Sequence, residues 1–175
     1  DKALKHYDSA LTMYTRMNFE TAIGSLYNDM GNMYQEVTDT IALDYLRKSL
    51  AIRQKVKMER GIAITSYNIA GVFLKREMPD SVLRYVQPFY DYALRNKRTG
   101  LIISSITTMG SAYILKGEAA RGRDSCLHAL ALNEGAQQNL EHEQYACDCL
   151  HEAYLALGNY EEALKYYKRF VIARD

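Results

Sequence analysis

The stretch Leu150-His151-Glu152-Ala153-Tyr154-Leu155-Ala156-Leu157-Gly158-Asn159-Tyr160-Glu161-Glu162-Ala163-Leu164-Lys165-Tyr166-Tyr167 reads as two helices around a Gly-Asn turn. Its first half carries a large apolar residue, its successor, and an aromatic three residues later. Its second half carries Ala163, Tyr167 and Phe170, a residue x followed by x+4 and x+7. Both signatures recur. The second also appears as Ala3/Tyr7/Ala10, Ala42/Leu46/Ser49, Val82/Val86/Phe89 and Gly122/Cys126/Ala129, with starts 39, 40, 40 and 41 residues apart. The first appears as Met30-Gly31-x-x-Tyr34, Ile69-Ala70-x-x-Phe73 and Met109-Gly110-x-x-Tyr113. A small residue admits a neighbouring helix and the aromatic fills the adjoining groove. A period of 20 to 50 residues built from such units marks a solenoid, which presents a long surface to a partner.

With only two prolines and no sustained alternating run, strands are not expected. The periodicity predicts nine helices at about 2–17, 21–36, 40–57, 61–76, 80–97, 100–116, 119–134, 139–157 and 160–173. Pro79 suits a first helical position, whereas Pro88 lies inside the fifth helix and predicts a kink or break near Val86-Gln87. Gly117-Glu118 and Gly158-Asn159 are expected as turns.

Twenty-two basic against 21 acidic residues give a net charge of +1 with no basic stripe, so direct nucleic-acid binding is not expected. No apolar run approaches the roughly 18 residues a spanning helix needs, so the chain is not expected to insert in a membrane. Three cysteines, an odd number, predict no disulfide framework. Cys147 and Cys149 lie about 200° apart on a helix and cannot bridge each other, and buried thiols are expected. His142, Glu143, Cys147, Asp148, Cys149, His151 and Glu152 crowd eleven residues, but Cys147 and His151 fall at inward-packing positions and Leu155 stands where a zinc-protease histidine would follow. No metal or other cofactor is expected, and no nucleophile, base and orienting group converge in the pattern of an enzyme. His151 replaces the usual small residue, which predicts a wider crossing there.

The recurring Gly/Ala-x-x-Tyr/Phe crossings and the ending Leu157 to Leu164 with Tyr167 resemble the tetratricopeptide repeat (TPR) over essentially the whole chain. The resemblance implies an all-α, right-handed superhelix of stacked antiparallel helix hairpins, a single TPR solenoid over 1–175. Residues 1–17 would be the second helix of a truncated repeat, and 21–57, 61–97, 100–134 and 139–173 complete ones. The chain departs from the family in its longer period. The stretch Arg60 to Ala70 and the ending Tyr166 to Asp175 are similar to TPR sensor regions of bacterial sensor histidine kinases and helix-turn-helix regulators. Material is expected upstream and downstream, including a kinase or other output domain.

In that family, the first helix of each hairpin lines a concave groove that binds a peptide or protein segment. The contact positions, carried onto this chain, include Ser25, Asn28, Asp29, Asn32, Gln35 and Glu36 in the first unit, and Tyr67, Asn68 and Lys75 in the second. The third contributes Ser104, Thr107, Thr108 and Ser111, and the fourth Tyr145, Asp148 and Glu152. Of these Asn28, Asn32, Gln35, Tyr67, Asn68, Lys75, Thr107, Thr108, Ser111, Tyr145, Asp148 and Glu152 are the expected ligand-binding residues. A side-chain amide offers both a donor and an acceptor to an extended backbone. Lys75 is the only cation among the carried positions, so a two-carboxylate clamp is not expected. Asp29, Glu36, Asp148 and Glu152 favour a neutral or basic ligand. The implied role is a non-catalytic peptide-binding sensor or interaction region on the periplasmic side of a membrane-anchored protein, or in the cytoplasm. The alternative is a scaffold that self-associates as a homodimer through Tyr167, Phe170 and Val171.

Overall fold

The computed structural model describes residues 2–136 and 139–174, with side chains from His6 onward, so Ala3 of the first signature lies outside the described side chains. These residues form α1 (Lys2–Arg16), α2 (Glu20–Tyr34), α3 (Asp39–Lys55), α4 (Glu59–Lys75), α5 (Pro79–Arg95), α6 (Thr99–Leu115), α7 (Ala119–Gly135), α8 (Leu140–Ala156) and α9 (Tyr160–Arg174), with no strand among them. The fold is an all-α helical repeat. Helix α2 packs on α3, α5 on α6, α6 on α7, α7 on α8 and α8 on α9, the order in which they follow one another. Three-residue links between most of them make these neighbours antiparallel.

The period has a simple origin. Helices α3 to α8 are each 17 residues long. Two such helices and two three-residue turns make a 40-residue unit. The turns share one backbone design. Asn18, Lys57, Glu77, Lys97, Gly117 and Gly158 all have φ between 51° and 80°. The N–H of each donates to the carbonyl three residues back and the next N–H to the carbonyl five back, as in Lys57 to Gln54 (3.1 Å) and Met58 to Arg53 (2.9 Å). This is the Schellman closure, which satisfies carbonyls left over at a helix end. Gly117 and Gly158 are the turns expected from sequence; at the other four a side chain accepts a left-handed backbone that favours glycine.

Pro79 opens α5 at its first turn. Pro88, by contrast, does not break the helix, which runs unbroken from Pro79 to Arg95. Pro88 and Arg84, whose carbonyl is the one deprived of its bond, both lie on the exposed side, where water can serve that carbonyl.

The chain forms two compact units, Asp1–Val72 and Phe73–Asp175, divided within α4. In both, the first-helix signature works as its spacing predicts. A Cβ on Gly31 would stand 2.6 Å from Leu46 Cγ, the x+4 residue of the next helix, and one on Gly110 would stand 3.1 Å from Cys149 Sγ and from the Gly122 carbonyl. The aromatic of each signature stacks on a ring of the following helix: Tyr34 on Tyr45 (5.6 Å), Phe73 on Tyr85 (5.5 Å) and Tyr154 on Tyr166 (5.6 Å). At the third signature Ser125 stands in that place and the Arg121 guanidinium covers Tyr113 instead, 3.8 Å from its ring. His151 takes the small-residue position of the last signature, half-buried, with Nδ1 3.0 Å from the Ala163 carbonyl and its ring 5.1 Å from that of Tyr167.

The cysteines correct the sequence expectation. Cys126 of α7 and Cys149 of α8 are joined in a disulfide, Cα atoms 6.2 Å apart, and only Cys147 is a free thiol. Counting an odd number of thiols could not reveal this pair, because 23 residues separate them and the register of two helices brings them together over Gly110. Cys147 and Cys149 do point to different neighbours, as their helical angle requires. Burial pushes the Cys147 thiol up to about 11.

Candidate functional site

The residues that chemistry singles out in the first unit meet along a seam of α2, α3 and α4. Asn28 and Asn68 lie on the first helices of successive repeats, Asn68 one position along from the place that matches Asn28, which Tyr67 holds. Their amides touch: Asn68 Nδ2 donates to Asn28 Oδ1 at 3.0 Å, and Thr65 Oγ1 donates to the same oxygen at 3.1 Å. Asn28 Nδ2 and Asn68 Oδ1 have no hydrogen-bond partner among the described residues. The pair therefore keeps one donor and one acceptor side by side, the complement of a peptide C=O and N–H.

Behind Asn28 lies a polar network that sequence reasoning missed. Ser49 donates to the Gly24 carbonyl at 2.6 Å and stands 3.2 Å from Thr65 Oγ1. Arg53 reaches in from α3, where Nη1 donates to the Gly61 carbonyl (2.9 Å) and to Thr65 Oγ1 (2.6 Å), and Nη2 approaches Ser25 Oγ at 3.4 Å. Only 6% of the Arg53 surface is exposed, and no carboxylate among the described residues pairs with it. Burial lowers its pKa, with the Asp29 charge opposing. Two glycines make the space: a Cβ on Gly61 would stand 2.8 Å from Arg53 Cδ, and one on Gly24 3.3 Å from its Cγ. Forty and eighty residues on, the same register holds Ala93 and Asn133. Searching the first helices for groove cations passed over Arg53 because it belongs to a second helix. The signal was legible elsewhere, in an arginine where the next two units have Ala and Asn, flanked by glycines no turn requires.

Other expected site residues fall in different company. Asn32 is exposed and its Oδ1 accepts from Gln35 Nε2 at 3.2 Å, so these two amides bond each other one turn beyond Asn28. Tyr67 is half-buried beside Asn68 on α4. In the second unit Lys75 is exposed at the end of α4. Thr107, Thr108 and Ser111 of α6 turn their hydroxyls back onto their own helix, to the carbonyls of Ile103 (3.0 Å), Ser104 (2.9 Å) and Thr107 (3.3 Å). Their donors are spent in these bonds. Tyr145, Asp148 and Glu152 share an exposed face of α8.

The crowded stretch of α8 is divided among separate tasks. Glu143 takes the Arg169 Nε at 2.6 Å while Glu134 takes its Nη2 at 2.7 Å, tying α7, α8 and α9 together. Cys149 is in the disulfide and His151 faces the Ala163 carbonyl. Tyr167 is exposed on α9, whereas Phe170 and Val171 are half-buried, with Phe170 packed against the second unit's core. No helix among the described residues is long and apolar enough to cross a membrane. No known protein family and no curated protein matches the chain.

Proposed function

We propose that this region is a non-catalytic, TPR-like module that binds an extended peptide or protein segment, as the sensor or interaction part of a larger bacterial signalling protein. The observation that carries this reading is the joined Asn28/Asn68 pair, whose unspent donor and acceptor stand side by side on the first helices of consecutive repeats. One donor and one acceptor so placed suit an extended backbone, which offers a C=O and an N–H in return. Binding would act on a fold whose helices contact mainly their neighbours, so a ligand that prefers one packing shifts the whole population toward it. The Cys126–Cys149 disulfide supports placing the region in an oxidising compartment, the periplasmic side of a membrane-anchored protein.

The test is retention of labelled peptide pools by the protein and by its Asn28→Ala and Asn68→Ala variants. The reading requires retention by the parent and a loss of about tenfold in each variant. Equal retention by all three removes the asparagine pair from the site.

A second reading, self-association, draws on α9, where Leu164 and Tyr167 are exposed and Ile172 is 79% exposed. It commits to a homodimer held by the face that includes Tyr167 and Val171. Light scattering across a hundredfold concentration range decides it: a mass that stays that of one chain eliminates it.

A further inference from the structure

A guanidinium has five N–H groups, and Arg53 uses only part of them. Both protein acceptors within 3.0 Å, the Gly61 carbonyl and Thr65 Oγ1, lie at Nη1. Its Nε is buried with no hydrogen-bond partner, and Nη2 has only the 3.4 Å approach to Ser25 Oγ. In any guanidinium the Nε–H and one Nη2–H run parallel along the same edge. That edge is the fork that a carboxylate binds with both oxygens. Around it stand Gly24 and Gly61, where a Cβ would come 3.8 Å and 3.1 Å from Nε, so the backbone there presents no side chain to the edge. A buried cation without a paired anion is costly, and an unpaired buried N–H adds to the cost. Asp29, exposed on α2, is the one carboxylate among the described residues whose charge acts on Arg53, and it makes no ion pair with it.

We propose that the α2/α3/α4 seam of the first unit is a carboxylate-binding site, in which the Nε/Nη2 edge of Arg53 receives a carboxylate of a peptide whose backbone lies on Asn28 and Asn68. The inference rests on the peptide-binding reading and specifies the ligand's chemistry. Thr65 links the two parts, since its hydroxyl accepts from Arg53 and donates to Asn28, so the cation and the amide pair form one hydrogen-bonded surface. Ser25 Oγ, 3.4 Å from Nη2, is the contact that the ligand replaces. The exposed acidic residues of the groove set its long-range field, while the buried fork sets one short-range contact. A peptide that is otherwise neutral or basic and carries a single carboxylate satisfies both.

The source of the carboxylate, a chain terminus or an Asp/Glu side chain, is separated by three peptide pools: free C-terminus without acidic residues, amidated without acidic residues, and amidated with one Asp or Glu. At least one carboxylate-bearing pool is expected to bind about tenfold or more tightly than the acid-free amide. Arg53→Lys, which keeps a charge but loses the fork, is expected to lose that preference. Ser25→Asp serves where Arg53 variants fold poorly, because it places a carboxylate of the chain's own at the fork. It should abolish the preference and melt about 3 °C or more above Ser25→Asn, its neutral isostere.

A preference that survives Arg53→Lys, equal binding of acid and amide pools, or no gain of Ser25→Asp over Ser25→Asn overturns the carboxylate site and leaves the peptide module standing. Retention of no pool overturns both.

Discussion

The two units solve the same packing problem with opposite chemistry. Where α2, α3 and α4 meet, the register that is alanine at Ala93 holds Arg53, and the space is filled by hydrogen bonds through Ser49, Thr65 and Asn28. Where α6, α7 and α8 meet, the core is Ile103, Ile106, Leu130, Leu150 and the Cys126–Cys149 disulfide, and the residue matching Thr65, Ser105, merely returns its hydroxyl to the Leu101 carbonyl of its own helix. A polar seam is worth little net stability, because each bond replaces one to water, and it retains bonding capacity. An apolar, cross-linked core is the reverse. The same 40-residue frame thus leaves unspent hydrogen-bonding capacity in one place and a cross-linked apolar core in another.

The largest effect belongs to the rigid side. Removing the disulfide, by reductant or by Cys126→Ala with Cys149→Ala, should cost roughly 3 kcal/mol, the loop-closure value for a span of 23 residues, read as a fall in the denaturation midpoint. Cys147→Ala should leave the sensitivity to reductant intact. Cys147 brings a pH dependence of its own. Its thiol titrates near 11 when folded against an ordinary 9.0, so the folded state prefers the protonated form. The contribution is present in full below pH 9 and is lost as pH rises from 9 to 11, at most roughly 2 to 3 kcal/mol. Comparing the chain with Cys147→Ala over that interval isolates it, and parallel curves would dismiss it.

On the polar side, Thr65→Val should destabilise by about 2 kcal/mol, since it takes one partner each from Arg53 Nη1, Asn28 and Ser49. Ser105→Ala, the matching change in the second unit, should cost under about 1 kcal/mol, because only one bond within its helix is lost. Urea denaturation of the two variants measures the contrast directly. Equal losses would mean that the seam is no more cooperative than a single hydroxyl.

Both signatures, the all-α class and the helix positions to within two residues were legible in the sequence, because each is a local pattern repeated at fixed spacing. The small-then-aromatic crossing implied that Gly31 admits a neighbouring helix and Tyr34 fills the adjoining groove, and the structure supplies the partners, Leu46 and Tyr45. What escaped were contacts set by register across helices. Cys126 and Cys149 look unrelated until α7 and α8 are docked, and Arg53 looks like one more surface cation until Gly24 and Gly61 leave room for it. Asn28 and Asn68 were legible as groove-lining amides, while their mutual bond and its unspent partners were not. The break expected at Pro88 does not occur: a proline disrupts a helix through a lost bond, and on an exposed face water restores much of what is lost.

The smallest prediction tests the turns that both units share. Lys57 closes α3 in the first unit, and Glu77 and Lys97 close α4 and α5 in the second, each in the left-handed conformation at φ 51° to 54°. Gly117 and Gly158 occupy the same place in their turns without a Cβ. The left-handed region costs a residue with a Cβ roughly 1 kcal/mol more than glycine, partly offset by the greater freedom glycine has when unfolded. Lys57→Gly, Glu77→Gly and Lys97→Gly should therefore each stabilise by about 0.5 to 1 kcal/mol, in either unit alike, and Gly117→Ala should destabilise by a similar amount. The sign matters more than the size. A loss at Lys57 alone would show that its turn depends on the lysine side chain, at the point where the chain leaves Arg53 and returns through Gly61, and would tie turn and polar seam into one element.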